Sequence, residues 1–164
     1  MGLFARLIKK NTGTSDDAVV EMADGEIIDI TTVSDPVFAQ KMMGESIAFR
    51  YEGDTVTICA PAGGTLSVMF PTGHAFGITM GNGTELLVHI GINTVDANGT
   101  GFRVFKKQGD AVKAGEPVVE ADLKLLSKNY DMSTMLIVTN ANGKNIQCVS
   151  PQKIAKGESV ITIH

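Results

Sequence analysis

The sequence predicts an all-β protein: an antiparallel β-sandwich or partly closed barrel with short helical turns. Three observations lead there. Short runs of alternating apolar residues recur at close intervals, Gly, Pro, Asn and Asp punctuate them, and helical periodicity is scarce. The 164 residues suit one domain, long enough to bury about two-thirds of its unfolded surface without disulfides or metal.

Residues 1–10 (MGLFARLIKK) put Leu3, Phe4, Leu7 and Ile8 on one helical face and leave Arg6, Lys9 and Lys10 polar. This small basic amphipathic pattern suits weak contact with an anionic membrane surface, or else a tail that packs on nothing. Residues 11–17 read as a polar linker, so 1–18 are expected to form tail and linker, and 19–164 the folded domain. Strand patterns follow at 26–32, 46–51, 55–60 and 65–70, then in two arms around 72–78 and 86–92, and finally at 135–139 and 160–164. Helical pattern is confined to 37–43 and 123–128. A weak internal echo aligns 112–119 (VKAGEPVV) with 154–161 (IAKGESVI), both carrying Gly in a turn before apolar residues.

The two middle arms hold two of the three histidines, His74 and His89, and a Gly-rich turn at 80–83 (MGNG) separates them. In the second arm the period of two puts Leu86, Val88, Ile90 and Ile92 on one face and Leu87, His89 and Gly91 on the other. In the first arm Thr72, His74, Phe76 and Ile78 share a parity, and a turn near Asn82-Gly83 brings the two histidines roughly opposite each other. Paired neutral imidazoles suit metal ligation, general base catalysis, or a nucleophile that carries a phosphoryl group. They also suit two histidines packed by their ring carbons with their nitrogens satisfied by backbone carbonyls.

A net charge of −4 gives no basic footprint for nucleic acid. Cys59 and Cys148 are far apart, lack CxxC spacing and follow no secretory leader, which points to a reducing cytosol and to small core residues. No run approaches the ~18 apolar residues of a spanning helix. Two histidines are too few for a closed metal site and His164 is terminal, so no metal is expected. The GxxxxGK[ST] pattern is absent, so nucleotide is not expected as a phosphoryl source, and no cofactor is required.

The runs 72–78 (TGHAFGI) and 86–95 (LLVHIGINTV) resemble the glucose-type enzyme IIA component of the bacterial phosphoenolpyruvate-dependent sugar phosphotransferase system. The resemblance continues in 35–44 (DPVFAQKMMG), 60–65 (APAGGT), 99–102 (GTGF) and 109–117 (GDAVKAGEP), in the family's order from about residue 20 onward. It implies that His89 is a nucleophile that takes a phosphoryl group from the small histidine phosphocarrier protein and passes it to the IIB component of a sugar permease. His74 matches a second histidine that hydrogen-bonds the phosphoryl oxygens, and Thr72 a threonine that supports the pair. Gly91 would supply the carbonyl that fixes the tautomer of His89. Phe38, Phe70 and Leu87 match apolar positions around the site, and Asp35 an acidic position on its rim. The family usually has Asp where this chain has Asn93, which removes a charge facing basic partner residues.

The resemblance further implies a cytoplasmic bacterial protein, with residues 1–10 as an optional contact at the inner face of the membrane and monomer as the default state. Two other functions remain open at this point. A regulatory binding protein would use the same face with little transfer, and regulatory targets beside the relay are compatible with either reading. A lipoyl- or biotinyl-like carrier shares the V-x-x-G-x-x-V-V shape of the echo, but no Asp-Lys-Ala or Met-Lys-Met hairpin is present; Lys113 lies elsewhere in the repeat.

Overall fold

A computed structural model describes residues 18–164. The rest of the expected tail and linker, residues 1–17, lies outside the described residues, and Ala18 already belongs to the first strand. The strands are β1 (Ala18–Val20), β2 (Gly25–Ile28), β3 (Glu45–Arg50), β4 (Thr55–Cys59), β5 (Gly64–Met69), β6 (Ala75–Met80), β7 (Glu85–Ile90) and β8 (Phe102–Val104). They continue as β9 (Ala111–Val112), β10 (Pro117–Asp122), β11 (Thr134–Asn140), β12 (Ile146–Cys148), β13 (Gln152–Ile154) and β14 (Ser159–Ile163). Single helical turns, α1 (Pro36–Ala39) and α2 (Leu123–Leu126), and two 3-10 turns, Ile30–Thr32 and Thr94–Ala97, complete the described elements.

Every pairing is antiparallel. One sheet has the order β13-β2-β3-β11-β7-β6-β5-β9, and two three-stranded sheets have the orders β4-β10-β8 and β1-β14-β12. The predicted sandwich is therefore present. Its strands at 46–51, 55–60 and 65–70 fall within a residue of the expected bounds. The strand expected over 26–32 stops at Ile28, because the Asp29 carboxylate accepts from the Thr31 N–H (2.9 Å) and hydroxyl (2.7 Å) and turns the chain into the first 3-10 turn. The helix expected over 37–43 is the shorter α1, started by Asp35, whose carboxylate accepts from the Val37 N–H at 2.8 Å. Lys41, at φ 55°, is already left-handed two residues past its end.

Alternation along the strands fills the main core. Leu86, Val88 and Ile90 from β7, Phe76 and Ile78 from β6, and Leu136 and Val138 from β11 all point into it, together with Phe49, Ile58 and Ile161. The opposite face of the large sheet is usually the wet one, yet here its centre is covered as well. Ala48, Met135 and Ile137 project outward and pack with Ile30, Val33, Phe38 and Ile92 as a second cluster, with Leu87 against it. The segment from Asp29 to Ala39 is the cover, and it explains why β11 is buried on both faces over its first five residues.

The internal echo is a structural repeat. Gly115 N–H donates to the Ala60 carbonyl (2.9 Å) and Ala60 N–H to the Glu116 carbonyl (2.8 Å); Gly157 N–H donates to the Glu21 carbonyl (2.9 Å) and Glu21 N–H to that of Glu158 (2.8 Å). In both copies a glutamate closes its own turn, Glu116 accepting from the Lys113 N–H and Glu158 from the Ala155 N–H. Lys113 thus sits in a turn whose work is structural. The repeat also places Glu21 where the other copy has Ala60, so a carboxyl group enters the core.

Candidate functional site

The β6–β7 hairpin sets Ala75 opposite His89, Gly77 opposite Leu87 and Phe76 opposite Val88. Its turn is the one expected: Gly83 N–H donates to the Met80 carbonyl, and the Asn82 side chain accepts from Thr84 N–H. His89 stands on the outer face beside Ala75 and opposite Met135 of β11, so small neighbours on one flank leave its ring accessible.

His74 reaches the same place by a different route. The register puts it opposite Ile90, whose N–H donates to the His74 carbonyl at 2.7 Å. Had strand parity continued through it, as expected from the sequence, its ring would share the core face of Phe76, away from His89. Instead β6 begins only at Ala75, and the chain before it turns sharply: Gly73 N–H donates to the Phe70 carbonyl at 2.8 Å, with Gly73 at φ 76°. That turn rotates His74 onto the outer face. The two rings lie edge to face, 5.0 Å apart at 80°. A Cβ at Gly73 would meet Val104 Cγ2 at 2.9 Å and Phe102 Cβ at 3.1 Å in addition to the left-handed backbone. Gly73→Ala is therefore expected to lose about 1–3 kcal/mol of stability, read as a lowered urea midpoint. A midpoint equal to wild type would show that the turn has room to spare.

Phe38 from α1 packs on His89 at 4.9 Å and Phe70 on His74 at 5.2 Å, so four rings run in a row, Phe38, His89, His74 and Phe70. Leu87 belongs to the second cluster that backs the row, and Phe70 is partly exposed at its end. Asp35 lies close enough to His89 to act on it electrostatically. Asn93, left-handed at φ 60°, is exposed at the start of the second 3-10 turn and makes no capping bond.

The ring nitrogens are held individually. His89 Nδ1 lies 2.8 Å from the Gly91 carbonyl. A carbonyl can only accept, so Nδ1 carries the proton and Nε2 keeps its lone pair. His74 Nδ1 lies 2.5 Å from Thr72 Oγ1; with that hydroxyl donating, the His74 proton sits on Nε2. Burial lowers the pKa of both rings from the usual 6.5; the charge of His89 adds to the effect at His74, while the Gly91 carbonyl and Asp35 oppose it at His89. Both imidazoles are neutral at pH 7.

Gly91, at φ 79°, turns the chain after β7, and for that reason Ile92 joins the second cluster rather than the face of Leu86, Val88 and Ile90 expected from alternation. A Cβ there would meet Thr94 Cγ2 at 2.5 Å and Met132 Sδ at 2.9 Å. Thr94, Met132 and the 131–133 segment complete this turn without having been singled out by sequence pattern: Thr94 falls inside the 86–95 motif, where its spacing after Gly91 is a usable signal, whereas residues 131–133 come from a distant loop and no local pattern ties them to His89. Among the described residues no group of three His, Cys, Asp or Glu side chains is placed to hold a metal, and no helix is long and apolar enough to cross a membrane.

Comparison with known proteins adds family membership to this geometry. The model of a family described as phosphoenolpyruvate-dependent sugar phosphotransferase system, EIIA 1, matches residues 17–144. The glucose-specific EIIA component of Staphylococcus aureus (strain COL) is 37% identical over 163 residues, 97% of this chain and 96% of that protein. The glucose-specific EIICBA component of Staphylococcus carnosus is 37% identical over 140 residues; they make up 85% of this chain but 20% of the relative, so the chain spans about a fifth of that longer protein. The solved structure of glucose permease IIA from Mycoplasma capricolum superposes with a TM-score of 0.82 at 36% identity, covering 88% of this chain and 93% of the other. The chain belongs to the EIIA 1 family of the phosphoenolpyruvate-dependent sugar phosphotransferase system.

Proposed function

We propose that the protein is a phosphocarrier that receives a phosphoryl group on His89 from the phosphohistidine of the small histidine phosphocarrier protein and hands it to the IIB component of a glucose-type sugar permease. One observation carries this reading: the Gly91 carbonyl holds the His89 proton on Nδ1, leaving the Nε2 lone pair free to attack phosphorus. The donor's P–N bond breaks as the new bond to Nε2 forms. Positive charge then develops on the His89 ring, and the hydrogen bond from Nδ1–H to the Gly91 carbonyl stabilises it. His74, its proton on Nε2, donates to the phosphoryl oxygens, and Thr72 keeps it in that tautomer. Phe38, Phe70 and Leu87 shape an apolar floor, and Asp35 offers charge to a basic partner; Asn93 withholds one, which shifts partner preference or slows exchange without removing the chemistry. The protein works as a monomer in the bacterial cytoplasm, with residues 1–10 as an optional contact at the inner face of the membrane.

Phosphoenolpyruvate, enzyme I and the histidine phosphocarrier protein are expected to add one acid-labile phosphoryl group, read by intact mass under non-acidic conditions. No gain with active partners would leave the regulatory binding protein as the better reading. The loading rate, corrected for the donor's own pH profile, should fall in acid along a limb centred below pH 6.5. The reason is that burial keeps His89 in its neutral, attacking form past the usual 6.5. An acid limb centred at or above 6.5 would contradict the assignment of the nucleophile.

A further inference from the structure

The carbonyl that sets the His89 tautomer belongs to a glycine, the residue least able to hold its own peptide planes in place. The two planes on either side of Gly91 are nonetheless bonded at both ends. In the Ile90–Gly91 peptide, the Gly91 N–H donates to the Ser133 carbonyl (3.0 Å) and the Ile90 carbonyl accepts from the Thr94 hydroxyl (2.5 Å). In the Gly91–Ile92 peptide, the Ile92 N–H donates to the Asp131 carbonyl (2.8 Å) and the Gly91 carbonyl accepts from His89 Nδ1 (2.8 Å). Three of these bonds use only backbone or the histidine itself. The fourth depends on a side chain, that of Thr94, which has no exposed surface.

Resting on the carrier reading, we propose that Thr94 is a positioning residue that fixes the tautomer of His89 through the Ile90–Gly91 peptide. Its hydroxyl holds the Ile90 carbonyl in the one orientation that leaves the Gly91 carbonyl aimed at Nδ1. Its methyl carbon lies 2.5 Å from where a Cβ of Gly91 would stand, so the same residue packs directly against the turn. Without the hydroxyl the Ile90 carbonyl is a buried acceptor with no donor, and flipping the peptide becomes the way to satisfy it. That flip takes the Gly91 N–H off the Ser133 carbonyl and changes φ at Gly91, so the following peptide, which carries the Gly91 carbonyl, is no longer held against Nδ1. The freed ring then populates the tautomer with its proton on Nε2, which has no lone pair to offer phosphorus.

The test is Thr94→Val, which keeps the shape and removes the hydroxyl, beside Thr94→Ser, which keeps the hydroxyl. In the unphosphorylated proteins at pH 8, ring 15N shifts read which nitrogen of His89 is protonated. Wild type and Thr94→Ser are expected to show Nδ1–H, and Thr94→Val a mixture with Nε2–H together with a loading rate lowered about tenfold. A Thr94→Val protein with the wild-type nitrogen pattern overturns the proposal, whatever its rate. Should that variant not fold, the wild type decides: the Thr94 hydroxyl proton must be protected from exchange, and rapid exchange with water overturns the proposal. The nitrogen pattern is read without any partner protein, so a protein that does not load in any form defeats the carrier reading and leaves the tautomer result standing on its own.

Discussion

His89→Gln is expected to take up no phosphoryl group, and His74→Gln to take one up but pass it on about 10²–10³-fold more slowly than wild type. The two histidines differ because their nitrogens are held differently. His89 has its Nδ1 proton bonded to a carbonyl and a lone pair on the opposite nitrogen; an amide in its place has no such pair, so loading is lost outright. His74 has its Nδ1 against Thr72 and presents the edge of one ring to the face of the other. In the proposed relay, loading depends first on the lone pair of His89, which Gly91 sets and His74 does not. Onward transfer starts from a phosphoryl group already seated beside both rings, and its alignment then rests on the donor at position 74. A glutamine offers an N–H on a longer, freer chain with no bond to Thr72. Mass spectrometry after incubation with the upstream proteins measures loading, and release to a IIB domain in a quench-flow experiment measures transfer. A His89→Gln protein that gains 80 Da in an acid-labile form would move the acceptor elsewhere; a His74→Gln protein that transfers at the wild-type rate would remove His74 from the relay.

How far the sequence carried this site depends on the range of the contacts. The hairpin, its turn and the outward face of His89 follow from local alternation and from Gly83, and the structure has all three. The meeting of the two rings was expected for an incomplete reason. Parity along one strand puts His74 with Phe76, and only the left-handed turn at Gly73, packed against Phe102 and Val104, carries it across. Nothing local to residues 72–78 says that those two side chains fill the far side of the turn. The cover over the outer face was equally hidden: Phe38 read as part of a helix over 37–43, whereas one capped turn suffices to lay it on His89. Long-range pairs such as Gly91 with Ser133 leave no trace in a pattern of period two.

Glu21→Gln is expected to stabilise the protein relative to wild type by more at pH 8 than at pH 5. Only 1% of the Glu21 surface is exposed. Its Oε1 accepts from the Tyr51 hydroxyl and from the Met22 N–H, each at 2.7 Å, while Oε2 has no partner. Burial pushes its pKa up from 4.5 to about 7 against the lowering effect of those hydrogen bonds, and Asp24 adds a small push in the same direction. The same surroundings and the Glu21 charge push the Tyr51 hydroxyl well above its ordinary range, so Tyr51 remains the donor. Between pH 4.5 and about 7 the folded protein therefore binds more protons at this residue than the unfolded chain does. Its contribution is most favourable below pH 4.5 and is lost as pH rises through about 7. A shift of that size sets a ceiling of about 3 kcal/mol on the loss at pH 8. Glutamine keeps the acceptor for Tyr51 and Met22 and cannot ionise. The histidines and surface carboxylates titrate alike in both proteins, so the difference between their urea-unfolding free energies isolates Glu21. That difference should grow by about 1–3 kcal/mol in favour of the variant between pH 5 and pH 8. A difference that is the same at both pH values would mean that the carboxyl group Glu21 brings into the core, where the other repeat has only Ala60, does not change its protonation across the neutral range.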